Sequence, residues 1–553
     1  MEVKQFLPFG RRIPLAVVSV VMLCTASGCL TGPKQWIQQR FKVGPEYCRP
    51  ATPVASDWID ADDPSVVSAC ADYSNWWRVF DDPTLNALEE EAASQNLQLR
   101  QAAMRVVEAR ALLNTARGTL FPQSQQATGS FAHIKNSETN ANQFPAVEYD
   151  QWGAGFNASW ELDMWGRFRR LVEAAEANYE SSIYSYDDVL VILQGELASA
   201  YIQMRTLEER LDIVQENVVL QQQTLELAQK RFENGRVSEL DVAQAATSLN
   251  ATKAAIPPLE ESIRKTQNAI CVLLGSAPED LAGYLEQTGI PTPPEQVVVG
   301  IPAELLRRRP DVRQAEQQVA LQSALVGFTE ANLYPHFALT GSIGVEAAKI
   351  SDLFRSESLV GSVGPGFQWD ILNYGRLING YRAQQARLQE AVLGYQQAVL
   401  NADRSVEDAI ISYLKEKERV ELLRESVVNA ERSVDIATLQ YREGKADFQR
   451  VIDTQRVLVT RQEELAASRG RVNVNLVSVY KELGGGWQTR CQNSGAGATL
   501  AVDPTSTTIP ALSPTMSTEP ASDSSEPTPA TDEVDAAVTT EIALPVDLLL
   551  TLE

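Results

Sequence analysis

Six cysteines and two histidines carry this sequence's potential for thiol, imidazole or metal chemistry, and their placement argues for a single reaction. His133 and His336 stand apart, each on a predicted strand or at its edge, and no Cys/His spacing suits zinc. The chain has neither a phosphate-cradling P-loop nor a nucleophile elbow. Lone carboxylates on long helical stretches read as solvated faces, so no catalytic constellation, cofactor or metal site is expected. Cys29 is different. Lys4, Arg11 and Arg12 precede an apolar run from Ile13 to Leu23, and Ala26, Ser27 and Gly28 lead into the cysteine. That order is a bacterial secretory signal over residues 1–28, ending at a thiol that accepts lipid. The apolar run is shorter than the ~20 residues a bilayer-spanning helix requires. Cleavage before Cys29 would remove Cys24 and leave Cys48, Cys70, Cys271 and Cys491, which can pair in three ways. Cys48 with Cys70 is the most local choice, and Cys271, in an apolar helical run, reads as a plain buried thiol.

The elements around these residues are set by a duplication. Trp160-Glu-Leu-Asp-Met-Trp-Gly-Arg167 recurs 209 residues later as Trp369-Asp-Ile-Leu-Asn-Tyr-Gly-Arg376, and Phe232-Glu-Asn-Gly235 returns as Tyr441-Arg-Glu-Gly444 at the same shift. Each half then holds an uninterrupted polar/apolar segment, Gly166 to Gly235 and Gly375 to Gly444. A helix of that length reaches roughly 100 Å at 1.5 Å per residue, a spanning element rather than part of a globule. Coiled-coil spacing runs through both. Leu193, Leu197, Tyr201, Met204, Leu207, Leu211, Val214 and Val218 form one seam; Val406, Ile410, Tyr413, Val420, Leu423, Val427, Ala430, Val434, Ala437 and Tyr441 form the other. Val237 to Leu274 and Ala446 to Leu483 read as returning helices, with Gly235 and Gly444 at the hairpin tips. Pro257-Pro258 interrupts the first return. Asp82-Pro83 starts a helix to about Gly118, and Arg309-Pro310-Asp311 starts its counterpart.

Between Ser124 and Leu162 the period falls to two. Trp152, Ala154, Phe156, Ala158, Trp160 and Leu162 alternate with polar or small residues, and Phe337, Leu339, Gly341, Ile343 and Val345, then Val363, Pro365, Phe367 and Trp369, repeat the design. Four amphipathic strands of about ten residues suit a transmembrane β-barrel. Four cannot close one, because any open edge leaves backbone groups unpaired in lipid. Several chains must contribute, and three copies would supply twelve strands.

These residues carry a family resemblance. Val43-Gly-Pro-Glu-Tyr47, Trp76-Trp-Arg-Val-Phe-Asp-Asp-Pro83, Ser159-Trp-Glu-Leu-Asp-Met-Trp-Gly-Arg167, Arg308-Arg-Pro-Asp-Val-Arg313 and Gly366-Phe-Gln-Trp-Asp-Ile-Leu-Asn-Tyr-Gly-Arg376 resemble the outer-membrane efflux lipoproteins of the TolC-like family, over about Val43 to Gly486. The resemblance implies an α+β membrane protein with two structural repeats per chain. It implies a homotrimer whose 12-stranded transmembrane β-barrel continues into a 12-helix periplasmic α-barrel. It also implies a passive exit duct in a tripartite pump, with a periplasmic adaptor (a membrane fusion protein) and an inner-membrane transporter of the resistance-nodulation-division class. By position, the family's acidic constriction falls on Asp453, with Gln449 beside it and Arg450 where some members have a second acid. Asp241 and Tyr441 match groups that hold the closed state by hydrogen bonds between hairpins. The adaptor-docking tips fall on Gly235, Arg236, Val237, Gly444, Lys445 and Ala446.

The net charge of −24 disfavours nucleic acid, which needs a basic face. Ten of the acidic residues lie in the last 63 positions, which contain no Lys or Arg. The expected organisation is a signal peptide (1–28), a lipid-anchored irregular or equatorial segment (29–82), a first repeat (83–283), a linker (284–300), a second repeat (301–486) and a disordered Ser/Thr/Pro-rich acidic tail (487–553). The expected location is the outer membrane, lipid-anchored and extending into the periplasm. The competing reading is a lipid-anchored coiled-coil envelope spacer without a pore, which has no use for amphipathic strands.

Overall fold

The computed structural model describes residues 31–52, 54, 55, 57–68, 72–135, 148–281, 289–294, 296–300 and 308–490. The signal segment, Cys29, Cys70, Cys491 and the tail beyond Arg490 lie outside the described residues. After a short helix α1 (Pro33–Gln38) and a strand β1 (Val66–Ser68), the first repeat comprises α2 (Pro83–Gln95), α3 (Leu97–Gly118), β2 (Ser124–Lys135), β3 (Glu148–Leu162), α4 (Arg167–Glu233), α5 (Glu239–Ala254) and α6 (Ile256–Leu274). Strand β4 (Val297–Val299), within the stretch expected to be a linker, pairs in parallel with β1. The second repeat comprises α7 (Pro310–Ala331), β5 (His336–Ala347), β6 (Leu359–Gln368), α8 (Arg376–Arg442) and α9 (Phe448–Glu482).

The two long helices each run 67 residues. Both begin after a left-handed glycine, Gly166 (φ 79°) and Gly375 (φ 83°). Where Pro83 was expected to open one helix to Gly118, there are two. Asn96 ends α2, and its side chain caps α3 by accepting from the Leu99 amide at 2.9 Å while donating to the Leu273 carbonyl at 2.8 Å. A polar side chain that satisfies orphan amides makes such a break without Pro or Gly. The first return divides at Ala255, just ahead of Pro257-Pro258, because a proline ring disrupts the hydrogen bonds of the turn before it. Asp82 caps α2 as expected, accepting from the Thr84 and Leu85 amides. Cys48 is an exposed free thiol and Cys271 a buried one; the expected partner of Cys48, Cys70, lies outside the described residues.

Strands β2, β3, β5 and β6 form one antiparallel sheet in that order, with β2 and β6 at its edges. The register sorts its faces. Phe131, Trp152, Phe156, Phe337, Ile343, Val363 and Phe367 share one face; Thr128, Gln151, Asn157, Ser342, Glu346 and Ser362 share the other. The polar face is laced by Gln151 to Glu346 (3.2 Å) and Ser342 to Ser362 (2.9 Å). The apolar face is bare: Phe156 is 67%, Val363 80% and Phe367 72% exposed. Among the described residues no helix is long and apolar enough to cross a membrane.

The main core lies midway along the helices. Trp76, Trp77 and Phe80 of the N-terminal segment pack with Leu197, Tyr201, Ile270, Val406, Tyr413, Leu476 and Tyr480. The Tyr201 hydroxyl donates to Asp82 Oδ2 at 2.7 Å and accepts from Arg205 Nε at 3.1 Å, tying the first cap to the long helix. Close helix contact needs Gly470, where an added Cβ would lie 2.1 Å from Thr206 Oγ1 and 2.7 Å from its methyl. We expect Gly470→Ala to destabilise the protein by about 1–3 kcal/mol, the usual cost of overpacking. Adding Thr206→Ala, which removes both atoms, should recover most of the loss in thermal unfolding.

Candidate functional site at the helix tips

Both hairpins turn by the same local device. At the first tip the Gly235 amide donates to the Phe232 carbonyl and the Arg236 amide to the Arg231 carbonyl; at the second, Gly444 donates to Tyr441 and Lys445 to Gln440. These are paired helix-ending bonds around a left-handed residue, and Gly235 (φ 62°) and Gly444 (φ 75°) supply it. Nothing lies within 4 Å of a Cβ built on Gly235, so backbone conformation rather than space selects glycine there. Arg236 and Lys445 project from the tips into solvent, while Val237 and Ala446 are half-buried. Lys445 pairs with Glu443 at 2.7 Å.

Behind the turns a small core joins the two hairpins: Leu225, Ala228, Ala245, Leu249, Ala437, Tyr441, Phe448, Val451 and Ile452. Tyr441 sits at its centre, 5.1 Å from the Phe448 ring. The Arg231 guanidinium lies 4.4 Å above the Tyr441 ring and donates to the Tyr441 carbonyl. Burial, with Asp241 adding to it, pushes the Tyr441 phenol up, against the opposing pull of Arg231. Its hydroxyl therefore stays protonated, and among the described residues it has no hydrogen-bond partner. A buried neutral O–H without a partner costs free energy until one is found.

Asp453 is exposed, and within the protomer its carboxylate takes a hydrogen bond from Gln449 at 2.9 Å and lies 3.8 Å from Arg456. Arg450 is likewise exposed and makes no ion pair among the described residues. Of the four neighbours helix geometry brings within reach of Asp453, three are polar, at i−4, i−3 and i+3. The side chains at i−4 and i+3 are the ones it takes. Counting from the tip glycines, Asp241 and Arg450 occupy equivalent positions with opposite charge.

Sequence reasoning overlooked Arg231 and the joint it terminates. Along α4, Arg210, Asn217, Thr224 and Arg231 recur every seven residues and meet α9 or the end of α8. Arg210 pairs with Glu463 at 3.1 Å, Asn217 with Gln462 at 2.8 Å, and Thr224 with the buried Gln455 at 2.8 Å. The heptad spacing was visible, but polar residues at that period also describe a solvated face.

A two-faced sheet with an unburied apolar side, continued by paired helices about 100 Å long, defines a membrane-inserted spanning protein rather than an enzyme. The outer membrane efflux protein family matches residues 88–276 and 301–485, and the chain belongs to it. It is 31% identical over 336 residues to nodulation protein T of Rhizobium leguminosarum bv. viciae, covering 61% of this chain and 68% of that protein. It is 28% identical over 457 residues to the cation efflux system protein CusC of Escherichia coli O6:H1, covering 81% and 96%. Its fold matches the outer-membrane channel OprN with a TM-score of 0.77 at 33% identity, over 80% of this chain and 99% of that one. The protein is thus an outer-membrane efflux channel component.

Removing the guanidinium should loosen the tip. Arg231→Ala is expected to speed amide exchange at Gly444 and Lys445 about tenfold, the equivalent of ~1.4 kcal/mol. Hydrogen–deuterium exchange read by mass spectrometry would measure it.

Proposed function

We propose that three copies of this chain form the exit duct of a tripartite efflux pump. The observation that carries this reading is the open four-stranded sheet, whose bare apolar face and unpaired edges β2 and β6 are intolerable in lipid unless other chains close the cylinder. Three sheets give twelve strands, an even number, with the polar face lining the lumen. Six hairpins, two from each copy, then continue as a twelve-helix tube across the periplasm. A lipid on Cys29 would hold the N-terminus at the inner leaflet. A periplasmic adaptor would meet the tips at Gly235, Arg236, Val237, Gly444, Lys445 and Ala446, and a resistance-nodulation-division-type transporter would supply the energy. A passive duct takes its cargo from that transporter.

On this reading the gate lies at the tips. In the closed arrangement the hairpins lean inward, and the Tyr441 hydroxyl and the Asp241 carboxylate are matched as donor and acceptor across hairpins. Asp453 and Gln449, with Arg450 one turn away, would ring the narrowest point. Opening is a shift between two packings of the same helices, drawn over by whichever the adaptor binds better. Two measurements test the proposal. The purified protein should migrate as a trimer in detergent and as a monomer after boiling, whereas a spacer rod would show no such heat-modifiable form. In planar bilayers, Asp241→Ala combined with Tyr441→Phe should raise single-channel conductance, and unchanged conductance would remove these residues from the gate.

A further inference from the structure

The internal duplication makes each protomer a template for the contact between protomers. Within one chain, β3 lies beside β5, and just below the sheet the two are locked by aromatic residues. Trp165, in the loop leading to α4, stacks on Tyr334 with ring centroids 4.7 Å apart and planes at 22°, and its indole donates to the Pro335 carbonyl at 2.8 Å. Trp36 of the N-terminal segment covers Trp165 from elsewhere at 5.3 Å.

The repeat supplies the same parts at the two open edges. Tyr374 is the counterpart of Trp165, in Trp369-Asp-Ile-Leu-Asn-Tyr-Gly after β6; Phe121 is the counterpart of Tyr334, in Leu120-Phe-Pro before β2. The equivalence is structural as well as sequential. Trp160 donates from its indole to the Leu120 carbonyl, and Trp369 donates to the Leu333 carbonyl in the matching place. Yet neither aromatic is covered in the protomer. Tyr374 is 100% exposed and Phe121 67%, and Leu372, two residues before Tyr374, is 85% exposed. Tyr374 also holds φ at 51°, a left-handed conformation that costs a residue with a Cβ free energy and needs support from its surroundings.

Resting on the trimeric reading above, we propose that Tyr374 of one copy stacks on Phe121 of the next. The occupant of this surface is a second copy of the same chain, because if β6 of one protomer adjoins β2 of the next, the junction repeats the β3–β5 junction with Tyr374 for Trp165 and Phe121 for Tyr334. The girdle beneath the sheet then alternates two kinds of joint. The joints inside each subunit carry the additional cover of Trp36; the joints between subunits have the aromatic pair without it, so subunits part there first.

The test uses the full-length lipoprotein in outer membranes, in a Cys48→Ser, Cys70→Ser, Cys491→Ser background that removes the exposed thiol among the described residues and the two cysteines outside them. Trp165→Cys with Tyr334→Cys sets the scale, closing within one chain on mild oxidation. Phe121→Cys with Tyr374→Cys is expected to yield reducible dimers and trimers on denaturing gels, and neither single variant should do so. Intact heat-modifiable trimers in which the second pair never links chains, although the first pair closes, would overturn the contact and leave the trimer standing. Failure of the parent protein to form trimers would instead sink the reading it rests on. A second measurement needs no disulfide. Phe121→Ala and Tyr374→Ala should each lower the temperature at which trimers dissociate, and the double variant should fall no further than the weaker single one; additive shifts would overturn the pairing.

Discussion

A helix of 67 residues has no interior of its own, and that constraint governs this molecule. Propensity alone gives such a helix little stability in water, so its apolar seam must be covered along the whole length. The chain meets the requirement by doubling back at Gly235 and Gly444 and by running the second hairpin's return beside the first hairpin's outward helix. The coil between them is closed at Arg210, Asn217 and Thr224, seven residues apart, and Arg231 continues the period onto the end of α8. A heptad period keeps these groups on one side of a supercoiled helix.

The character of each joint suits its position. Near the middle, Trp76, Trp77, Tyr201 and Tyr480 make a dense apolar knot with a satisfied Tyr201–Asp82 bond at its edge. Towards the tips the core is smaller, nine residues around Tyr441, and polar and cation–aromatic contacts join it. Hydrogen bonds exposed to water exchange at small net cost, whereas an apolar knot does not. In the gating proposed above, the ends of the hairpins would adopt the second packing, with the knot as its fixed point. The Tyr441 hydroxyl is one of several buried polar atoms without a partner among the described residues, and it lies at the tips.

At the other end, the sheet is half a solution. Its register places aromatic and branched residues on one face and hydroxyl, amide and carboxylate groups on the other. That arrangement needs oil on one side and water on the other, and an edge strand at each margin needs a neighbour. Membership of the outer membrane efflux protein family supplies the setting.

The sequence determined the elements that depend on local chemistry and period. The long helices, their glycine ends, the strands and the tip turns were legible because a period of 3.6 or 2, a left-handed glycine or a capping aspartate leaves its mark within a few residues. It was silent on the Asn96 break, since asparagine in a polar run signals a cap only once the Leu273 carbonyl is beside it. It could not say that Asp453 would take Gln449 and Arg456, because several neighbours on one helix face are equally reachable. Nor did it reveal Arg231 over Tyr441, or that Tyr374 is bare where its counterpart Trp165 is covered. Those facts concern residues up to 210 positions apart in the chain, and only the folded arrangement brings such partners together or leaves one of them without any.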